Sequence, residues 1–263
     1  MKNRQAMSIV ICLILAPMGA HDAHAQDKLP LRRVQTIPMP NVSGRMDHLG
    51  VDVEGGRLFA AALGDNQNTV EVIDLKAGKR IQSIRGQNMP QGVFYSADFK
   101  RLFVANGKDG TVKIFCGDSL ELFDSLSIGG NADYVGYDQM TKYLYVGTGI
   151  PNSRVGALAI IDTQTNRQIG SIQTESRPGG IKIERSGPRI FVTLGGLPKV
   201  GVVDREKRQV TATWSLTAQG SPHFLKKRVI KDSWTRRFFA KRIGNRGSDG
   251  NKCMICGKQL NKD

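Results

Sequence analysis

Short runs rich in apolar and β-branched residues alternate along the chain with breaks rich in Gly, Asn and Asp, and the runs recur in a fixed order. One run reads Arg57-Leu58-Phe59-Ala60, Arg101-Leu102-Phe103-Val104, Tyr143-Leu144-Tyr145-Val146 and Arg189-Ile190-Phe191-Val192, in steps of 44, 42 and 46 residues. A second reads Val70-Glu71-Val72-Ile73-Asp74, Val112-Lys113-Ile114-Phe115-Cys116, Leu158-Ala159-Ile160-Ile161-Asp162 and Val200-Gly201-Val202-Val203-Asp204. An earlier run starts nine residues before each Leu or Ile anchor, at Leu49, Val93, Val135 and Ile181. A later one closes on Ile84, Leu126, Ile172 and Trp214. Runs this short, separated by turn residues, predict β-strands rather than helices.

Four strands therefore recur about every 43 residues, which is the signature of a repeat architecture. The variation in period falls between the second and third strands, where a loop tolerates insertions. Between the third and fourth lie turns such as Asp74-Leu75-Lys76-Ala77-Gly78-Lys79 and Asp162-Thr163-Gln164-Thr165-Asn166-Arg167. In these an Asp can accept from turn amides, and Gly78 or Asn166 can take a positive φ. A sandwich would not explain four copies in one register. The fold class expected is all-β, a β-propeller of four-stranded blades at about 47–86, 91–128, 133–174 and 179–216.

Two features suggest an incomplete ring. Residues 31–38, with Arg33-Val34-Gln35-Thr36-Ile37, read like Arg80-Ile81-Gln82-Ser83-Ile84, as a closing fourth strand would. A fifth repeat begins at Gly220-Ser221-Pro222-His223-Phe224-Leu225, but the pattern stops at Lys226. The expectation is a truncated or frame-shifted reading of a longer gene. A four-blade ring with a functional basic tail is the rival.

At the start, Lys2 and Arg4 precede an apolar run, Met7 to Leu15, and Ala23-His24-Ala25 forms an A-x-A cleavage site. That layout is a Sec-type signal peptide, 1–25, and implies a periplasmic or secreted product. The run is far short of the ~20 residues that span a bilayer, so no membrane span is expected after cleavage.

Charge changes the picture little. The net +15 is concentrated in the divergent tail, 225–263, where twelve Lys/Arg face three Asp/Glu. Residues 26–224 carry only +5, interleaved, whereas phosphate recognition needs clustered cations; nucleic acid is not the expected partner. Cys12 leaves with the signal, Cys116 stands alone, and Cys253 and Cys256 form a C-x-x-C pair. That pair is half of a zinc ribbon, but a tetrahedral site needs four ligands. Gly257 stands where haem attachment would need His.

Residues just before each innermost strand should face the central channel. They are Asp47 and His48, Gln91 and Gly92, Asp133 and Tyr134, Gly179 and Gly180, then His223 and Phe224. Asp47, His48, Asp133 and His223 are types that hold a cation or a polar ligand, and otherwise they cap turns and hydrate the channel. The ligand-binding candidates are thus Asp47, His48, Gln91, Asp133, Tyr134 and His223. No nucleophile elbow, H-E-x-x-H, phosphate loop or dinucleotide fingerprint occurs, and the sequence names no cofactor.

The stretch Arg101-Leu102-Phe103-Val104-Ala105-Asn106-Gly107-Lys108-Asp109-Gly110-Thr111-Val112-Lys113-Ile114-Phe115 resembles the YVTN-type β-propeller repeat of YncE-like secreted bacterial proteins. Ile160-Ile161-Asp162-Thr163-Gln164-Thr165 with Ile169-Gly170-Ser171-Ile172 resembles its second half. The resemblance covers about residues 31–224 and implies a seven-blade ring in relatives. It speaks to fold rather than activity, since the signature residues build strands and turns. The function expected is a binding or scaffold module acting on a small molecule or protein at the channel face. The alternatives are a lactonase-type or quinoprotein-dehydrogenase-type propeller enzyme, or a non-functional truncated product.

Overall fold

The computed structural model describes residues 33–64, 67–150 and 152–216. The expected leader, His223, Cys253 and Cys256 lie outside the described residues. Residues 1–36 and 37–263 group as two units. In the first, only 33–36 are described, and they carry no strand.

The second unit contains sixteen strands in four antiparallel sheets, each in simple sequential order. Blade 1 comprises β1 (Arg45–Asp52), β2 (Arg57–Leu63), β3 (Asn68–Asp74) and β4 (Lys79–Ile84). Blade 2 comprises β5 (Pro90–Ser96), β6 (Arg101–Asn106), β7 (Thr111–Cys116) and β8 (Leu122–Ser127). Blade 3 comprises β9 (Asn131–Asp138), β10 (Tyr143–Gly149), β11 (Gly156–Asp162) and β12 (Arg167–Thr174). Blade 4 comprises β13 (Pro178–Ile183), β14 (Arg189–Leu194), β15 (Lys199–Asp204) and β16 (Gln209–Ser215). No helix occurs among the described residues, and hence none there is long and apolar enough to cross a membrane. Each sequence repeat is one blade of a β-propeller.

Blades stack through cores that follow the alternation of each strand. Phe59, Ala61, Val70 and Val72 of blade 1 meet Val93, Leu102, Val104 and Phe115 of blade 2. The other face of blade 2, Phe103, Val112 and Ile114, meets Leu144, Val146 and Ile161 of blade 3. Tyr145, Leu158 and Ile160 then meet Ile190, Val192 and Val203 of blade 4. Each such side chain contributes roughly 1.5–3 kcal/mol on burial. Middle strands such as β6 are buried throughout because both faces are covered, which makes their sequences continuously apolar.

The turns are built as their composition dictates. Asp74 Oδ1 accepts from the amides of Lys76 and Ala77, both at 2.8 Å, and Gly78 sits at φ 61°. Asp162 and Asp204 cap the equivalent turns of blades 3 and 4.

The described sheets do not close into a ring. Leu49 and Val51 lie on the face of β1 away from blade 2 and are exposed. Of residues 31–38, expected to supply a closing strand, the described part, 33–38, forms none. A fourth strand requires three others beside it, and no described blade lacks its fourth.

Candidate functional site

The first strands β1, β5, β9 and β13 neighbour one another in that order, so they form the inner side of the blades. Each has an irregularity in the same place. Met46 faces Ala62 and Leu49 faces Ala60, so Asp47 and His48 together oppose one residue. The same two-against-one count falls on Gln91-Gly92, Asp133-Tyr134 and Gly179-Gly180. These are β-bulges, which re-aim side chains out of the ladder. Every channel-facing pair read from the described repeats sits on one.

The bulged residues converge. His48 Nδ1 lies 3.2 Å from Asp47 Oδ1 and 3.8 Å from Asp133 Oδ1, two blades away. The nitrogen is buried and makes no aligned hydrogen bond. The His48 and Tyr134 rings meet edge to face, with centroids 4.4 Å apart. In the amide orientation that sets donor against acceptor, Gln91 donates to both Asp133 oxygens at 3.2 Å. This approach of β5 to β9 depends on Gly92, since a Cβ there would stand 2.1 Å from the Asp133 carbonyl oxygen.

Three further residues complete the cluster, and the repeat reading did not select them. Arg177 Nη2 donates to Asp133 Oδ2 at 2.5 Å and to Asn131 Oδ1 at 2.8 Å. Arg45 pairs with Asp47 at 3.0 Å. All three lie two residues before a bulge, so one repeat position collects Arg45, Asn131 and Arg177. That periodicity of two was the available signal. Arg177 is seated by Gly156, where a Cβ would lie 2.6 Å from the arginine Cα.

Asp133 is only 6% exposed, and burial raises its carboxyl above the ordinary range despite the opposing effects of Arg177 and His48. Burial, assisted by Asp133 and Asp47, likewise raises the Tyr134 phenol. The cluster thus holds two carboxylates, two guanidiniums and an imidazole with a buried, unaligned nitrogen. A cation at Asp133 would have to displace Arg177. No group of three His, Cys, Asp or Glu side chains among the described residues is placed to hold a metal ion. Arg177 itself is 41% exposed in its side chain, and its Nε and Nη1 make no hydrogen bond among the described residues. The donor left over is therefore a guanidinium edge, suited to a planar anion.

No protein-family model matches the chain, and no curated protein matches it. Among solved structures it is similar to a chain of Kuenenia stuttgartiensis hydrazine synthase, a β-propeller-containing protein. That likeness has a TM-score of 0.55 and 20% identity, and covers 64% of this chain and 48% of the other. The present chain thus spans about half the length of that relative. At this identity the likeness concerns the fold alone.

Proposed function

We propose that the protein is an exported propeller of the YVTN-repeat kind that binds a small carboxylate-bearing ligand at the channel face. The observation carrying the reading is Arg177. A buried acceptor, Asp133, and a half-buried one, Asn131, hold one end of its guanidinium, while the remaining donors are unspent in the cluster that includes His48 and Tyr134. Holding an arginine this way lowers the ordering cost of binding. The signal-like first 25 residues and the repeat resemblance support export and kinship.

The test is thermal unfolding of the full chain against a panel of mono- and dicarboxylates, succinate among them. Ligand at 100 times Kd adds about 2.7 kcal/mol to stability, a shift of a few degrees. Arg177→Gln should abolish that shift, read against the variant's own unliganded transition, which loss of the Asp133 partner should lower. A panel that shifts nothing, or shifts the variant equally, rejects the proposal. A lactone-hydrolysis assay on the same samples addresses the enzymatic alternative. Turnover lost in His48→Ala would favour it.

A further inference from the structure

A second feature lies away from the channel, in the grooves between blades. Each groove is walled by the third and fourth strands of one blade and the linker leaving the blade before it. One repeat position, occupied by Glu71, Lys113, Ala159 and Gly201, lies opposite the fourth-strand residues Ser83, Ser125, Ser171 and Thr213. At blade 2 the Lys113 side chain fills the groove, and its ammonium donates to the main-chain carbonyl of Gly86 in the linker from blade 1. At blade 3 Ala159 leaves a cleft of about 220 Å³ beside Ile128, Thr148 and Ser171. At blade 4 Gly201 leaves about 420 Å³ beside Val155, Thr174, Glu175, Leu194 and Thr213. Gly86, Ile128 and Thr174 are equivalent, each lying two residues beyond Ile84, Leu126 and Ile172. One groove is therefore occupied by the chain's own alkylammonium, and its counterparts stand open.

We propose that the cleft between blades 3 and 4 binds a linear aliphatic ammonium ion. Its methylenes lie where those of Lys113 lie in the equivalent groove, against Leu194 and Val210. Its ammonium takes the Thr174 carbonyl, the counterpart of Gly86, since a carbonyl oxygen carries two lone pairs. Glu175 stands at the same linker, its carboxylate 2.6 Å from Lys199 Nζ and half exposed. A second ammonium would share that carboxylate with Lys199 or exchange for it, so a diamine can use both ends of the larger cleft. This site is independent of the carboxylate reading at the channel.

The probe is 1,5-diaminopentane, titrated into the full chain by calorimetry, with 1-pentanol as the uncharged control. The diamine should bind, and the alcohol should bind at least tenfold more weakly. Gly201→Lys should abolish diamine binding by rebuilding the Lys113 arrangement. An added Cβ at Gly201 meets nothing nearer than 3.7 Å, so the variant should keep the wild-type unfolding transition. Gly201→Met, which fills the same space without charge, should abolish binding as well. Glu175→Gln should weaken it severalfold. Absence of diamine binding, or binding undiminished in both folded Gly201 variants, overturns the proposal.

Discussion

Asp133 shows what the cluster costs. A carboxyl whose folded pKa is raised stabilises the fold while protonated, and that contribution is lost as pH rises through the folded value. At neutral pH its ionised form is held against the preference of its surroundings. Asp133→Asn should therefore leave stability at pH 7 equal to or above wild type, with the difference shrinking on acidification through the carboxylate range. Chemical denaturation at pH 7 and pH 4 measures this, and a large loss at pH 7 would contradict it. Asp138 is the structural contrast. Its Oδ2 lies 2.7 Å from Arg205 Nη1, with both side chains nearly buried. Removing the carboxylate in Asp138→Ala strands a buried cation between blades 3 and 4, which should cost about 3–5 kcal/mol in the same measurement.

Turns and bulges carry the information at the scale of the element. Asn166 sits at φ 56° and its Oδ1 accepts from the buried Arg101 Nη1 at 3.0 Å, joining blade 3 to blade 2. Asn166→Ala should cost about 2–3 kcal/mol, combining a left-handed penalty with a stranded donor. A loss below about 1 kcal/mol in a denaturation curve would show that Arg101 finds another acceptor. The left-handed turn was legible in the sequence, because Asp162 and Asn166 have strong local preferences. The pairing with Arg101 was not, since it spans 65 residues. The four strands per repeat were legible for a related reason: short apolar runs recurring in one order and register over four copies leave few other folds. The bulges were half legible. Their polar pairs stood out before the apolar run, whereas Arg45, Asn131 and Arg177 stood one ladder step earlier and resembled ordinary strand starts.

For the whole molecule, stability resides in the cores between blades, and tyrosines there set its alkaline limit. Tyr95 and Tyr145 are both pushed up to about 12, burial being the main cause and Asp52 and Asp138 respectively the next. In the unfolded chain they ionise near 10, so their contribution to stability is constant below that pH and is lost as pH rises from about 10 to about 12. The unfolding temperature should drop steeply across this window, and Tyr145→Phe should flatten the slope. An unchanged slope in that variant would assign the loss to other groups.

The bulges also bear on where such a scaffold tolerates change. Each lifts two adjacent residues out of the ladder while the partner strand, the turns and the stacking faces keep their pairing. Side-chain chemistry on the inner strands is thus set by four dipeptides, with Gly92 and Gly179 held fixed, since a Cβ there would meet the Asp133 carbonyl oxygen at 2.1 Å or Thr193 Oγ1 at 2.5 Å. Gly180 is the blank among them, since a Cβ there would meet nothing nearer than Thr193 Oγ1 at 3.8 Å.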